Sequence, residues 1–447
     1  MKRLISIVAV ATFAAVSLTG CSAGNSVVPN SHVTVAEVGT ISTLNPDVLS
    51  STSNKIASDL SQLTSQRFFE IDKNGELVPN KNFGTVEVTK QSPFTVTYTF
   101  GKAAVWSDGS NLDATDLALA VTAAKTVEFN SVHFGSSLSE AKIVGSPNAG
   151  DDSLTLQFDQ PIADWKTILN VSVPAHVVGK SAGIGGNVAA VRAGVMKAIE
   201  EQNVEVLAKL ALAYSDAFTP NSSVENFVTE GAYTITSVSS EQLVLKAARD
   251  FGGLHSGVAE TVNLKIFADN ASALKEVATG IVDLIAPQVT LNEPQSELVA
   301  AAQALSTKKV TVLAPSSSLS EQFVVNLAMG NLADSTYSDP KTAQTLRQAF
   351  MNIVPKARAV DFASMTQNVS KSDSFIYAAG SKNYSAVTSA NGSSNYILQD
   401  SEKSSEMVAG LKLPRVPTVR VLFDSDNPSA VAEWTYSPTT RQPLGSA

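Results

Sequence analysis

The chain has 447 residues, a formal net charge of −9 and a single cysteine, Cys21. An acidic surface without basic clusters excludes nucleic acid as a partner, because phosphates need Lys and Arg to neutralise them. One cysteine excludes an internal disulfide, while the length allows two or three domains and an ample core.

Read from the start, Lys2 and Arg3 precede a short apolar run from Leu4 to Ser17, and small residues lead to Cys21. This is the pattern of a secretory signal peptide. The run is too short to span a bilayer comfortably and no second hydrophobic segment follows it. Residues 21–31 are small and polar with one proline, which predicts a flexible tether. His32 to Glu37 reads as a first strand, running into Thr40-Ile41-Ser42-Thr43-Leu44-Asn45-Pro46.

Asn54 to Gln66 has helical spacing through Ile56, Leu60 and Leu63. Phe94 to Phe100 alternates strictly, which predicts a half-buried strand with Phe94, Val96, Tyr98 and Phe100 on one face. Asp113 is a helix cap for Ala114 to about Thr126, with Asp116 in the first turn at the positive end of the dipole. Leu154 to Phe158 repeats the strand pattern, and Asn187 to Ala217 reads as one or two helices. Further strands are predicted at Gln242 to Lys246, Val262 to Phe267, Ile281 to Ile285, Val310 to Leu313 and Thr418 to Phe423. Ala271 to Thr279 is a helix stopped by Gly280, and Asp339-Pro340 starts another whose buried stripe is Leu346, Ala349, Phe350 and Ile353. Ala363 to Ser405 has little periodicity and is expected to form long surface loops.

Leu18-Thr19-Gly20-Cys21 resembles the lipobox of bacterial lipoproteins. That resemblance implies that the Cys21 thiol receives a diacylglycerol and that Cys21 becomes the first residue after cleavage. Two acyl chains anchor stably where one binds only marginally. The expected location is therefore the extracytoplasmic face of a cell membrane.

A second resemblance rests on landmarks in a fixed order. They are Ala104-Val105-Trp106-Ser107-Asp108-Gly109 with Ala114-Thr115-Asp116, Val173-Pro174-Ala175-His176-Val177, Glu230-Gly231-Ala232-Tyr233, Gly280-Ile281-Val282-Asp283 and Leu346-Arg347-Gln348-Ala349-Phe350. In this order they are similar to the family 5 extracellular solute-binding proteins, the oligopeptide and dipeptide receptors of ABC importers. Trp106 is expected to plug a strand end into the core, with Asp108-Gly109 as a tight turn. This motif is expected to be structural rather than a ligand contact.

The resemblance implies an α/β (mixed α+β), two-lobed periplasmic-binding-protein-like fold with an extra subdomain. Its expected parts are a lipoprotein signal peptide (1–20), a tether (21–31), a first lobe (32–267, with an inserted subdomain at about 65–165), a second lobe (268–430) and an irregular tail (431–447). Family members trap ligand as the lobes close. Peptide-binding members grip the ligand backbone by strand-like hydrogen bonds. On that basis Thr40, Ile41, Ser42 and Thr43 lie on the cleft edge and offer main-chain groups. Two departures stand out: Val354-Pro355 replaces the family's acidic residue after the helix, and the chain stops before the family's closing segments. The second lobe is therefore expected to be incomplete.

The function expected from this resemblance is capture of a peptide or similar small solute for an ABC permease, without cofactor or metal. The alternative is a truncated, non-transporting surface lipoprotein, either an interaction protein or a receptor relic. An enzyme is not expected. His32, His133, His176 and His255 lack zinc-binding spacing, and no Gly-x-Ser-x-Gly elbow occurs. Ser139-Glu140-Ala141-Lys142 and Ser425-Asp426-Asn427 match two boxes of penicillin-binding enzymes, but no Lys-Thr-Gly follows.

Overall fold

The computed structural model describes residues 5–8, 27–49, 54–72, 76–248, 251, 253–254, 256–287, 295–305, 310–313, 327, 329–354, 374, 383–396, 399–415 and 417–420. The chain divides into two compact units, residues 12–288 and residues 1–11 with 289–447. Cys21 and the tail at 431–447 lie outside the described residues.

In chain order the strands are β1 (Ile5–Val8), β2 (Val28–Val38), β3 (Phe69–Ile71), β4 (Leu77–Pro79), β5 (Gly84–Gln91), β6 (Phe94–Phe100), β7 (Lys142–Val144), β8 (Ser153–Phe158), β9 (Tyr233–Val238), β10 (Gln242–Ala247), β11 (Ala259–Phe267), β12 (Leu284–Ala286) and β13 (Val310–Leu313). The helices used below are α1 (Asn54–Thr64), α2 (Ala114–Lys125), α3 (Ala175–Ser181), α4 (Val188–Glu200), α5 (Val204–Asp216), α6 (Asn270–Thr279), α7 (Gln295–Ala304) and α8 (Pro340–Ile353).

The larger unit holds a mixed five-stranded sheet in the order β12-β2-β11-β10-β9. β2 pairs in parallel with both β11 and β12, and β10 runs antiparallel to its two neighbours. Flanked on both sides, β2 is buried from Val35 to Val38, as expected for a strand inside parallel pairings. Leu60 of α1, Leu210 and Tyr214 of α5, and Leu243, Leu245 and Leu264 of the sheet share one core with Val35.

A second, antiparallel sheet in the order β5-β6-β8-β7 carries its own core. The predicted face of β6 is buried, and Leu154, Leu156 and Phe158 of β8 and Leu117 and Val121 of α2 pack with it. Phe68 contacts Phe83 and Tyr98 edge-on and stacks on Phe100, with ring centroids 5.1, 5.6 and 5.4 Å away. Such ring pairs each add about 0.5–1.5 kcal/mol beyond burial. α2 has the predicted cap: Asp113 accepts from Thr115 N, and Asp116 reaches back to the Asp113 N–H as a capping box.

In the smaller unit, α8 starts on the Asp339 cap with proline in its first turn. Leu346, Ala349 and Phe350 pack with Leu332, Val354 and Val408. β1 runs parallel to β13 within this unit.

Several elements differ from expectation. β2 begins at Val28, inside the stretch read as a tether, because Val28 N donates to Val258 O and Asn30 N to Glu260. The larger compact unit runs to Gln288, with β12 added to the β2 edge and α6 packed against the same sheet. The strand expected from Ile281 starts at Leu284. Within the presumed loops at 363–405, Tyr384–Ala390 is helical, as is Ser401–Gly410, which overlaps their end. The latter packs on α8, with Ser404 Oγ donating to Ala349 O at 2.9 Å. The strand expected from Thr418 falls mostly outside the described residues, and 417–420 is not a strand.

Candidate binding site

The carboxyl end of β2 is where a ligand can meet main chain, as at the carboxyl ends of strands in open α/β sheets. Gly39 N donates to Phe267 O at 2.9 Å, and Leu44 N to Phe218 O at 2.8 Å. Between them, Thr40 and Ile41 make no main-chain hydrogen bond among the described residues. Thr40 and Ser42 are exposed, while Ile41 packs partly on the first core. Thr43 is turned inward: its Oγ1 donates to Ser215 O at 3.3 Å and accepts from Asn45 N at 3.2 Å. Of the four residues singled out in the sequence, Thr40 and Ile41 offer open backbone among the described residues, and the Thr43 side chain is committed to α5 and to Asn45.

The rest of this loop is held rigidly. Asn45 Nδ2 donates to Tyr214 O at 2.7 Å and Asp47 N to Asn45 Oδ1 at 3.0 Å. Beyond it, Leu49 N donates to Asn130 O, Asn130 Nδ2 returns a bond to Leu49 O, and Val132 N donates to Asp47 O. The Asp47 carboxylate lies 3.5 Å from His133 Nε2 and 3.4 Å from Tyr214 OH. Hydrogen bonding to Asp47 raises the His133 imidazole above its ordinary value against the effect of burial.

At the same end of β2, Glu37 is buried and Lys55 Nζ of α1 reaches it at 2.9 Å, while Asp59 takes the same ammonium at 2.6 Å. Burial pushes the Glu37 carboxyl up to about 7, and Lys55 acts against that shift.

The Trp-Ser-Asp-Gly landmark forms a separate, closed polar network. Trp106 is fully buried, and Gly109, at φ +86°, closes the turn with its N–H on Trp106 O. Trp106 Nε1 donates to Asp116 Oδ2 at 3.3 Å, and Ala175 N to Asp116 Oδ1 at 2.8 Å. Arg192 of α4 enters from the far side, 3.1 Å from Asp113 and 3.8 Å from Asp116. Its Nη2 also lies 3.4 Å from His176 Nδ1. A guanidinium only donates, so Nδ1 accepts and the His176 proton sits on Nε2, donating to Asp108 at 2.9 Å. Burial pushes the Asp116 carboxyl up to about 6 against the pull of Arg192. The network joins α2, α3 and α4 and is structural, as the sequence implied for Trp106. Arg192 escaped the sequence reading, although an arginine among Val191, Val195 and Met196 of an apolar helix face was its signal.

Among the described residues no group of three or more His, Cys, Asp or Glu is placed to hold a metal, and no helix is long and apolar enough to cross a membrane.

A mixed α/β structure of helices and sheets such as this matches the periplasmic type of substrate-binding fold. The family described as bacterial extracellular solute-binding proteins, family 5 (middle), matches residues 87–437, and the chain belongs to that family. Its members are binding proteins, not enzymes. Among solved structures, a periplasmic EDTA-binding protein, EppA, has a TM-score of 0.51 at 17% identity, covering 88% of this chain and 67% of its own. OppA of Lactococcus, complexed with an endogenous peptide, has a TM-score of 0.48 at 15% identity, covering 85% and 67%. The oligopeptide-binding protein AppA of Bacillus subtilis has 0.46 at 13%, covering 85% and 64%. The chain thus spans about two thirds of the length of these structures. No curated protein sequence matches it.

Proposed function

We propose that the protein is the substrate-binding lipoprotein of an ABC importer, capturing a peptide or similar small solute for its permease. In this reading residues 1–20 are the signal peptide and Cys21 carries the lipid that holds the protein on the outer face of the membrane. The observation that carries the reading is the open backbone at Thr40 and Ile41, at the carboxyl end of a central parallel strand in a family 5 fold. An extended peptide satisfies such groups as an added strand would, leaving its side chains free to vary.

Thermal melting with peptide mixtures, metal chelates and sugars tests this. A ligand at one hundred times its Kd stabilises the folded form by about 2.7 kcal/mol. Hydrogen exchange then locates it: the amides of Thr40 and Ile41 should slow when a peptide binds. If no compound shifts the melt, or if a peptide binds without protecting those amides, the reading fails. A protein that binds nothing would instead be a non-transporting surface lipoprotein.

A further inference from the structure

The chain leaves β2 at Val38 and enters α1 at Asn54, and the stretch between them carries Thr40 and Ile41. Beyond those two residues it is held against α5 and the turn that follows, by Asn45 Nδ2 on Tyr214 O and Leu44 N on Phe218 O. Its base is closed by a charge. Lys55, in the first turn of α1, donates from Nζ to Glu37 Oε2 at 2.9 Å, joining side chains 18 residues apart in the chain.

The neighbouring strands offer Glu37 no substitute for that cation. It stands opposite Ile266 of β11 and Ala286 of β12, and among the described residues it makes no other ion pair. Removing the one partner of a buried carboxylate leaves its charge uncompensated, so the pair resists separation. Asp59, one turn further along α1, takes the same ammonium at 2.6 Å. A flexible lysine stem gripped by two carboxylates has one direction to point.

Resting on the function proposed above, we infer that Lys55 is a positioning residue for the binding loop: by tying α1 to Glu37 it sets where the main chain of Thr40 and Ile41 lies. Glu37 is two residues before Gly39, whose N–H donates to Phe267 O. The Leu44 and Asn45 bonds fix the stretch on the side of α5, and the Lys55 bond fixes it on the side of α1. Main-chain groups held from both sides stay in one place, and a ligand that meets them has little left to order.

The test is hydrogen exchange on the mature protein without ligand, comparing the wild type with Lys55→Met and Lys55→Arg. Protection of the Gly39 and Leu44 amides should fall about tenfold in the methionine variant, the scale of one charge-assisted hydrogen bond. The arginine variant should restore it, since a guanidinium can meet both carboxylates. Amides of β6, in the core of the other sheet, should keep wild-type protection, which separates local loosening from general destabilisation. Lys209→Met removes an exposed pair with Glu205 at 2.8 Å and, as the control, should leave all these amides unchanged. Calorimetry with tetraalanine, a peptide with little beyond its main chain, reads the consequence for binding. The methionine variant should bind it about tenfold more weakly, and the arginine variant as the wild type does. Unchanged protection at Gly39 and Leu44, an equal loss in β6, or no rescue by arginine overturns the inference and leaves the functional reading standing. Equal binding of tetraalanine by all three proteins does the same. If tetraalanine does not bind the wild type, that counts against a peptide ligand alone, and the exchange pattern decides the role of Lys55.

Discussion

Glu230 is 3% exposed, and only one of its carboxyl oxygens has a hydrogen-bond partner among the described residues. Oε1 accepts from Gln66 N at 3.1 Å, whereas Oε2 is buried and unpartnered. Burial holds this carboxyl well above its ordinary value, and Asp116 and Asp47 add to the effect. In the unfolded chain the group titrates near 4.5, so the fold is favoured most below that pH and loses ground as pH rises toward the folded value. Glu37 acts in the same direction between 4.5 and about 7. Glu230→Gln keeps the acceptor for Gln66 and removes the ionisable group. It should raise stability by about 1–3 kcal/mol at pH 7.5 and change little at pH 4. Thermal melts from pH 4 to 8.5 check this, and parallel curves for the two proteins would refute it. Arg192 is the opposite case, a buried charge that is paired. Arg192→Met leaves Asp113 and Asp116 without their cation and should cost about 3–5 kcal/mol in urea denaturation. Arg192→Lys should recover only part, because an ammonium cannot reach Asp113, Ser110 and His176 together as the guanidinium does. Full recovery with lysine would show that charge alone matters.

At the scale of elements, backbone hydrogen bonds tie the end of α1 to the residues that lead into β9. Glu230 N and Gly231 N both donate to Thr64 O, at 3.1 and 2.8 Å. A Cβ on Gly231 would lie 2.3 Å from Thr64 C and 2.5 Å from Ser65 N. Main-chain atoms cannot rotate aside, so Gly231→Ala should cost about 1–3 kcal/mol. Gly185→Ala, whose Cβ would meet nothing within 4 Å, is the control and should be neutral or slightly stabilising. Equal effects of the two on the urea midpoint would contradict the steric account. The legible elements were those specified by near neighbours: the alternation of β6, the Asp113 box of α2, and the Asp339-Pro340 start of α8. The sheet order was not legible, because β2 finds β11 more than 200 residues away and no local pattern encodes a parallel partner. β5 was missed because Val86 and Val88 alternate among Thr, Glu and Lys. The helix at Ser401–Gly410 hid because its buried positions are Ser404 and Val408, too few and too polar for an apolar stripe. The four candidate cleft residues came from resemblance, and no local pattern showed that the Thr43 side chain turns toward α5.

At the scale of the whole molecule, the proposed anchor ties function to processing at Cys21. β1 consists of Ile5–Val8 and pairs with β13, so the proposed cleavage before Cys21 would take β1 away and open one edge of Val310–Leu313. An open strand edge is a template for pairing with another chain. In the proposed reading, lipid attachment would fix the mature protein at the membrane, where a diacylated cysteine is retained through two chains at about 0.8 kcal/mol per buried CH₂. In the native host the wild-type protein should therefore partition into the detergent phase on Triton X-114 separation. Its first peptide by mass spectrometry should begin at Cys21 and carry the acyl mass. Cys21→Ser should move the protein to the aqueous phase while the ligand-induced melting shift of the purified body is unchanged, because the loop at Thr40 and Ile41 does not involve the anchor. A wild-type protein with a bare Cys21 thiol, or a serine variant that stays in the detergent phase, would sink the lipoprotein reading. Either result would leave the family 5 fold as it stands, since residues 87–437 carry that assignment without the leader.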